Sequence, residues 1–156
     1  MAANQPTAGT TYLGTTATVT AVLIACDGTA TRQTLERKDD SLLSALQTAV
    51  EGNFDVIGAH ADGDQVDAWV NDEGIYTHGP NPVACVLIAA AHRAPGRPIY
   101  GPVLFTGTAD AAGDTTGLTD EQADHLVNYA ATLTRQPDDL AAITDWCQRM
   151  TAPLRS

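Results

Sequence analysis

The stretch Phe54-Asp55-Val56-Ile57-Gly58-Ala59-His60-Ala61-Asp62-Gly63-Asp64-Gln65-Val66-Asp67-Ala68-Trp69-Val70-Asn71 decides the fold. Phe54, Val56 and Gly58 alternate with Asp55 and Ile57. After Asp62-Gly63, Val66, Ala68 and Val70 alternate with Asp67, Trp69 and Asn71. Successive side chains of a strand point to opposite faces, so this period of two predicts two strands, and an Asp-Gly pair between them is a strong hairpin signal. Asp72-Glu73-Gly74 then reads as a second reversal into a short strand Ile75-Tyr76-Thr77, which makes the centre of the chain an antiparallel meander.

Upstream, Leu42, Leu43, Leu46, Ala49 and Val50 recur at helical spacing. Asp39 or Asp40 is placed to cap that helix, and Gly52 to supply its left-handed stop. Before it, the β-branched run from Thr16 to Cys26, the Asp27-Gly28 turn and the segment Thr31 to Glu36 predict a first hairpin. Residues 1–14 are small and polar and read as a flexible arm.

Downstream, Asn81-Pro82 opens a helix, an Asn cap with Pro at its first position. The run Val83 to Ala91 is apolar on nearly every face, so that helix should be buried. Pro98 to Thr106 reads as a strand, and Thr119 with Gln122 as a capping box before Leu126, Val127, Ala130 and Leu133. A last helix starts near Pro137, with Leu140, Ile143, Cys147 and Met150 on one stripe. The expected fold is an α/β (α+β) domain of order ββα-βββ-α-β-αα, a mainly antiparallel sheet with helices packed on it. It spans residues 15–152, with 153–156 as a tail.

Composition limits the functions. The chain has 156 residues, 44% hydrophobic, and its longest apolar run is nine residues, well short of the ~20 that a membrane helix needs. Nineteen acidic against eight basic residues give a net charge of -11, which opposes direct binding to nucleic-acid phosphates. Between Lys38 and Arg93 there is no Lys or Arg but nine acids: Asp39, Asp40, Glu51, Asp55, Asp62, Asp64, Asp67, Asp72 and Glu73. A second acidic group runs from Asp110 to Asp124. Three widely spaced cysteines and no basic, apolar leader argue for a cytosolic protein, with Cys26, Cys85 and Cys147 as small buried hydrophobes.

Motifs of catalysis are missing. Ser occurs only at 41, 44 and 156, with no nucleophile elbow, and no Gly-rich loop is followed by Lys and Ser or Thr. His60, Asp62, Asp64 and Asp67 fail the spacing of a calcium loop, so no metal and no cofactor is expected. The segment around Asn71, Glu73, Gly74, Tyr76, His78 and Asn81 joins a two-acid turn to a helix N-terminus, where free N–H groups can hold an anion, and is the candidate ligand site. Asp55, Asp62, Asp64, Asp67 and Asp72 are the candidate protein-binding residues, facing a basic partner.

Leu46-Gln47, Val50-Glu51-Gly52-Asn53-Phe54-Asp55, Asn71-Asp72-Glu73-Gly74, Asn81-Pro82-Val83-Ala84 and Ile99-Tyr100-Gly101-Pro102-Val103-Leu104 follow one another in an order and spacing that resemble a phage and actinobacterial family, domain of unknown function 3846. The likeness covers about residues 40–125. The chain departs at Glu51, where the family pattern has glycine, at Asn53, where it has an aromatic residue, and at Pro102, where it has aspartate. The resemblance implies an accessory gene of phages or mobile elements and carries no activity with it. The functional expectation is a non-catalytic binder or inhibitor of a host protein, in host takeover or anti-defence, its target a basic one, with a DNA-binding protein the favoured type. The alternatives are sequestration of a nucleotide-derived signal and an enzyme of unrecognised type. A homo-oligomer is compatible with all three.

Overall fold

The computed structural model describes residues 18–92 and 96–155, so the expected arm at residues 1–14 lies outside the described residues. Strands β1 (Thr18–Ile24) and β2 (Ala30–Glu36) form the first hairpin. After helix α1 (Leu43–Val50), strands β3 (Phe54–Ala61) and β4 (Asp64–Asn71) form the second, in register from Phe54 opposite Asn71 to Ala61 opposite Asp64. The turn residues Asp62 and Gly63 take φ 54° and 83°, the left-handed pair whose twist matches that of the flanking strands. Helices α2 (Gly74–Thr77) and α3 (Pro82–His92), strand β5 (Val103–Thr106), and helices α4 (Asp120–Thr134) and α5 (Pro137–Arg155) complete the chain.

The five strands lie in the order β2-β1-β5-β4-β3, every neighbour antiparallel. β5 is wedged between the hairpins, pairing with β1 on one side and β4 on the other, and all four of its residues are buried. Alternation sorts the side chains into two cores. Val19, Ala21, Leu35 and Leu104 pack with Leu42, Leu46 and Val50 of the α1 layer, beside the edge-to-face pair Phe54–Trp69. On the other face Val22, Ile24, Ala59, Val66, Ala68, Val103 and Phe105 pack against α3, α4 and α5. The fold is therefore α+β, with helices covering both faces of an antiparallel sheet. Among the described residues no helix is long and apolar enough to cross a membrane.

Local signals hold where local chemistry decides. Thr119 Oγ1 accepts the Gln122 amide at 3.1 Å, and Gln122 Oε1 accepts the Thr119 amide at 2.9 Å, so the capping box of α4 is complete. Other expectations are corrected. Neither Asp39 nor Asp40 caps α1; both sit at positive φ in a turn, and the Ser41 hydroxyl accepts the Leu43 amide instead. The left-handed stop of α1 is Glu51, at φ 63°, rather than Gly52.

Ile75-Tyr76-Thr77 is no strand but one turn of helix. Gly74 is buried so tightly that a Cβ would collide with the Tyr100 carbonyl oxygen, and His78 N–H closes the turn on Gly74 O at 2.8 Å. The strand expected over Pro98 to Thr106 forms only from Val103, because Gly101 takes φ 88° and Pro102 has no N–H for a ladder. Met150 is exposed, and Thr151 takes its place on the buried stripe of α5, which runs on through Pro153 to Arg155.

Candidate functional site

The segment from Asn71 to Asn81 is anchored at both ends by amides that are fully engaged inside the protein. Asn71 Nδ2 donates to the Val50 and Glu51 carbonyls, at 3.0 and 3.3 Å, and its Oδ1 accepts the Glu73 amide at 2.8 Å. That clip ties the end of β4 to the end of α1. Asn81, completely buried, donates from Nδ2 to Ile24 O (3.0 Å) and Gly101 O (2.9 Å), while Oδ1 accepts the Ala84 amide at 3.1 Å. Its side chain caps the N-terminus of α3. Glu73 and Tyr76 remain exposed at the surface of α2.

His78 belongs to a cluster that its sequence neighbours do not announce. Its Nε2 lies 2.8 Å from Glu51 Oε1, and its Nδ1 lies 2.7 Å from Thr77 Oγ1. In the neutral ring, Nε2–H donates to the carboxylate and Nδ1 faces Thr77 Oγ1, whose hydroxyl also donates to Glu73 O at 3.2 Å. Glu51 thus stands in a backbone conformation that favours glycine, and its carboxylate reaches across 27 residues to orient an imidazole. Cys26 donates its thiol to Gly79 O at 3.5 Å. Burial first, then the negative charges of Glu51 and Asp27, push that thiol above its ordinary range, so it stays protonated at neutral pH.

Asn71, Asp72 and Gly74 border a cleft of about 250 Å³ with Arg97, Tyr100 and Leu154. Its far wall is α5, where Thr151 meets the Tyr100 hydroxyl at 2.6 Å. Asp55 also lies there, 3.9 Å from the Arg97 guanidinium. In the β3–β4 register Asp55 stands opposite Val70 and Gly58 opposite Asp67. Asp55 and Asp67 therefore project from opposite faces of the sheet.

The remaining acids gather at the other end of β4. Asp62 forms the hairpin turn, and Asp64 accepts a hydrogen bond from Gln122 Nε2 at 3.3 Å. That bond brings the first turn of α4, with Asp120 and Glu121, against the turn. Arg32 bridges Asp120 and Asp124, leaving Asp62, Asp64 and Glu121 without an ion pair among the described residues. Two acidic segments far apart in sequence thus meet, joined by a glutamine that had been read only as a helix cap. Among the described residues no group of three or more His, Cys, Asp or Glu side chains converges in a metal-binding arrangement.

Burial raises the pKa of Asp67. A carboxyl whose pKa is raised in the fold holds its proton more readily when folded than unfolded, so its contribution to stability falls as pH rises through the carboxylate range. Asp67→Asn is expected to raise the melting temperature at pH 7 and to lose that advantage near pH 3, as thermal melts at the two pH values would show.

The fold and this surface define a small acidic α+β protein with helices on both sides of its sheet. A family model described as Domain of unknown function (DUF3846) matches residues 19–132, from β1 into α4, and the chain belongs to that family. Neither the search of curated proteins nor that of solved structures gave a match.

Proposed function

We propose that the chain is a phage or mobile-element accessory protein that works without catalysis in the host cytosol, by binding a basic host protein through its acidic end. The observation that carries this reading is the Gln122–Asp64 hydrogen bond, which sets the Asp62–Asp64 turn beside Asp120, Glu121 and Asp124. Charges summed on one surface steer a cationic partner and speed encounter, an effect that fades as salt screens it, with a Debye length of about 8 Å at physiological ionic strength. A DNA-binding host protein is the favoured target, because an anionic surface competes with phosphates for the same Lys and Arg. Direct contact with nucleic acid is not part of the proposal.

The test is affinity purification from host lysate, comparing the wild type with a variant carrying Asp62→Asn, Asp64→Asn and Asp67→Asn. The triple variant should associate more slowly with the recovered partner and show a flatter salt dependence, with fold stability level or higher. A partner held equally by both proteins, and insensitive to salt between about 50 and 500 mM, would overturn the proposal.

A second reading, sequestration of a nucleotide-derived signal, draws support from the cleft beside Asn71 and Gly74, where Arg97 supplies a cation. Thermal-shift screening with cyclic and adenosine-derived nucleotides addresses it.

A further inference from the structure

Helices α3 and α5 meet at a pair of sulfurs. Cys85 Sγ lies 3.6 Å from Cys147 Sγ, 62 positions away in sequence, and both thiols are buried and free. That separation is a thiol–thiol contact, longer than the ~2.05 Å of a disulfide, yet close enough that side-chain rotation leads toward one. The Ile99 amide donates to Cys85 Sγ at 3.3 Å and so fixes one sulfur in place. The third cysteine, Cys26, is occupied with Gly79 O.

Two features separate this pair from inert packing. A groove of about 440 Å³ between α3 and α5, walled by Val86, Ala89, Ile143 and Trp146, opens onto Cys85. The two sulfurs are also polarised. The hydrogen bond from the Cys85 thiol lowers the pKa of Cys147, while that same bond and burial hold Cys85 well above the ordinary thiol range. One sulfur is therefore the readier thiolate and the other keeps its proton.

We propose that Cys85 and Cys147 are a redox site, which a small hydroperoxide entering the groove between α3 and α5 converts to an intramolecular disulfide. The Cys85 sulfur, which the groove reaches, takes one peroxide oxygen, the O–O bond breaks and the other oxygen leaves as water with the thiol proton, giving a sulfenic acid at Cys85. Cys147 then attacks that sulfur and the S–O bond breaks. The departing oxygen takes the Cys147 proton and leaves as water. In sum two thiols and one hydrogen peroxide give one disulfide and two waters. The bridge ties α5 to α3 one turn before Thr151, whose hydroxyl meets Tyr100 and bonds to the Cys147 carbonyl at 2.8 Å, so oxidation fixes the α5 wall of the cleft.

The test uses the full-length chain with Cys26→Ser, which keeps the pair as its only thiols. Hydrogen peroxide should lower the intact mass by two hydrogens and take the titratable thiols in denaturant from two to none, with the chain still monomeric on a non-reducing gel. The melting temperature should rise by several degrees, because the cross-link restricts the unfolded chain, and dithiothreitol should reverse every change. Two thiols still open to alkylation, a gain of oxygen without a bridge, or a covalent dimer would overturn the proposal. Adding Cys147→Ala should abolish both the mass loss and the thermal shift; a shift that persists without Cys147 would also overturn it.

Discussion

Deleting residues 136–156 is expected to leave a chain without a cooperative thermal transition. The deletion removes Cys147, fully buried, with the partly buried Leu140, Ile143 and Trp146, all packed against the larger core. It also uncovers α3, which has the sheet on one side and α5 on the other, and strips the Tyr100 hydroxyl of Thr151. Fully burying a large apolar side chain is worth about 1.5–3 kcal/mol, so even at partial burial the loss is several kcal/mol, against a usual total of about 5–15. Circular dichroism during heating and urea titration would measure it, and an unchanged midpoint would contradict it. The family match ends at residue 132, before α5 begins, so the same deletion asks whether the shared segment can fold uncovered.

Asn81→Ala should be the most damaging single change in the Asn71–Asn81 segment, at about 3–5 kcal/mol, because it abandons two buried carbonyls and one amide at once, each costing about 1–3 kcal/mol when left unpaired. An ordinary helix cap costs about 1 kcal/mol. The excess comes from the two donor bonds, which hold the end of β1 and the turn at Gly101 onto the start of α3. Asn81→Asp should be no milder than Asn81→Ala: it keeps the acceptor for Ala84 but buries a carboxylate against the Ile24 and Gly101 carbonyl oxygens. Urea denaturation of the three proteins gives the comparison, and a loss near 1 kcal/mol for Asn81→Ala would show that the donor bonds carry little.

What could be read from the sequence follows the range of the interaction responsible. Asp62-Gly63 fixed its hairpin because two adjacent left-handed residues suffice for the turn, and Thr119 with Gln122 fixed the start of α4 for a similarly local reason. Ile75-Tyr76-Thr77 misled because its β-favouring side chains were overruled by a contact 26 positions away, the Tyr100 carbonyl over Gly74. The acids of residues 39–73 were legible as a group but not as a surface. Asp55 went to one side of the sheet with Arg97, Asp67 to the other, and Asp64 found neighbours in α4 that no local spacing could supply. Glu51 and His78 were missed as a pair for the same reason: nothing in either position's surroundings in sequence points to the other.

The wedge position of β5 also sets the order in which the molecule can assemble. Each hairpin closes between strands adjacent in sequence, and can form as soon as its residues leave the ribosome. The sheet, however, has no middle until Val103–Thr106 arrives, and this strand must enter between partners that begin at residues 18 and 64. Until then β1 and β4 each present a bare inner edge of unpaired N–H and C=O groups, the kind of edge through which nascent chains pair wrongly with one another. Joining such distant strands is slow because the loops between them must close before any bond rewards them. The interval between the emergence of β4 and that of β5 is thus the one in which this protein is most exposed to aggregation, and a chaperone that shields strand edges would act on it then.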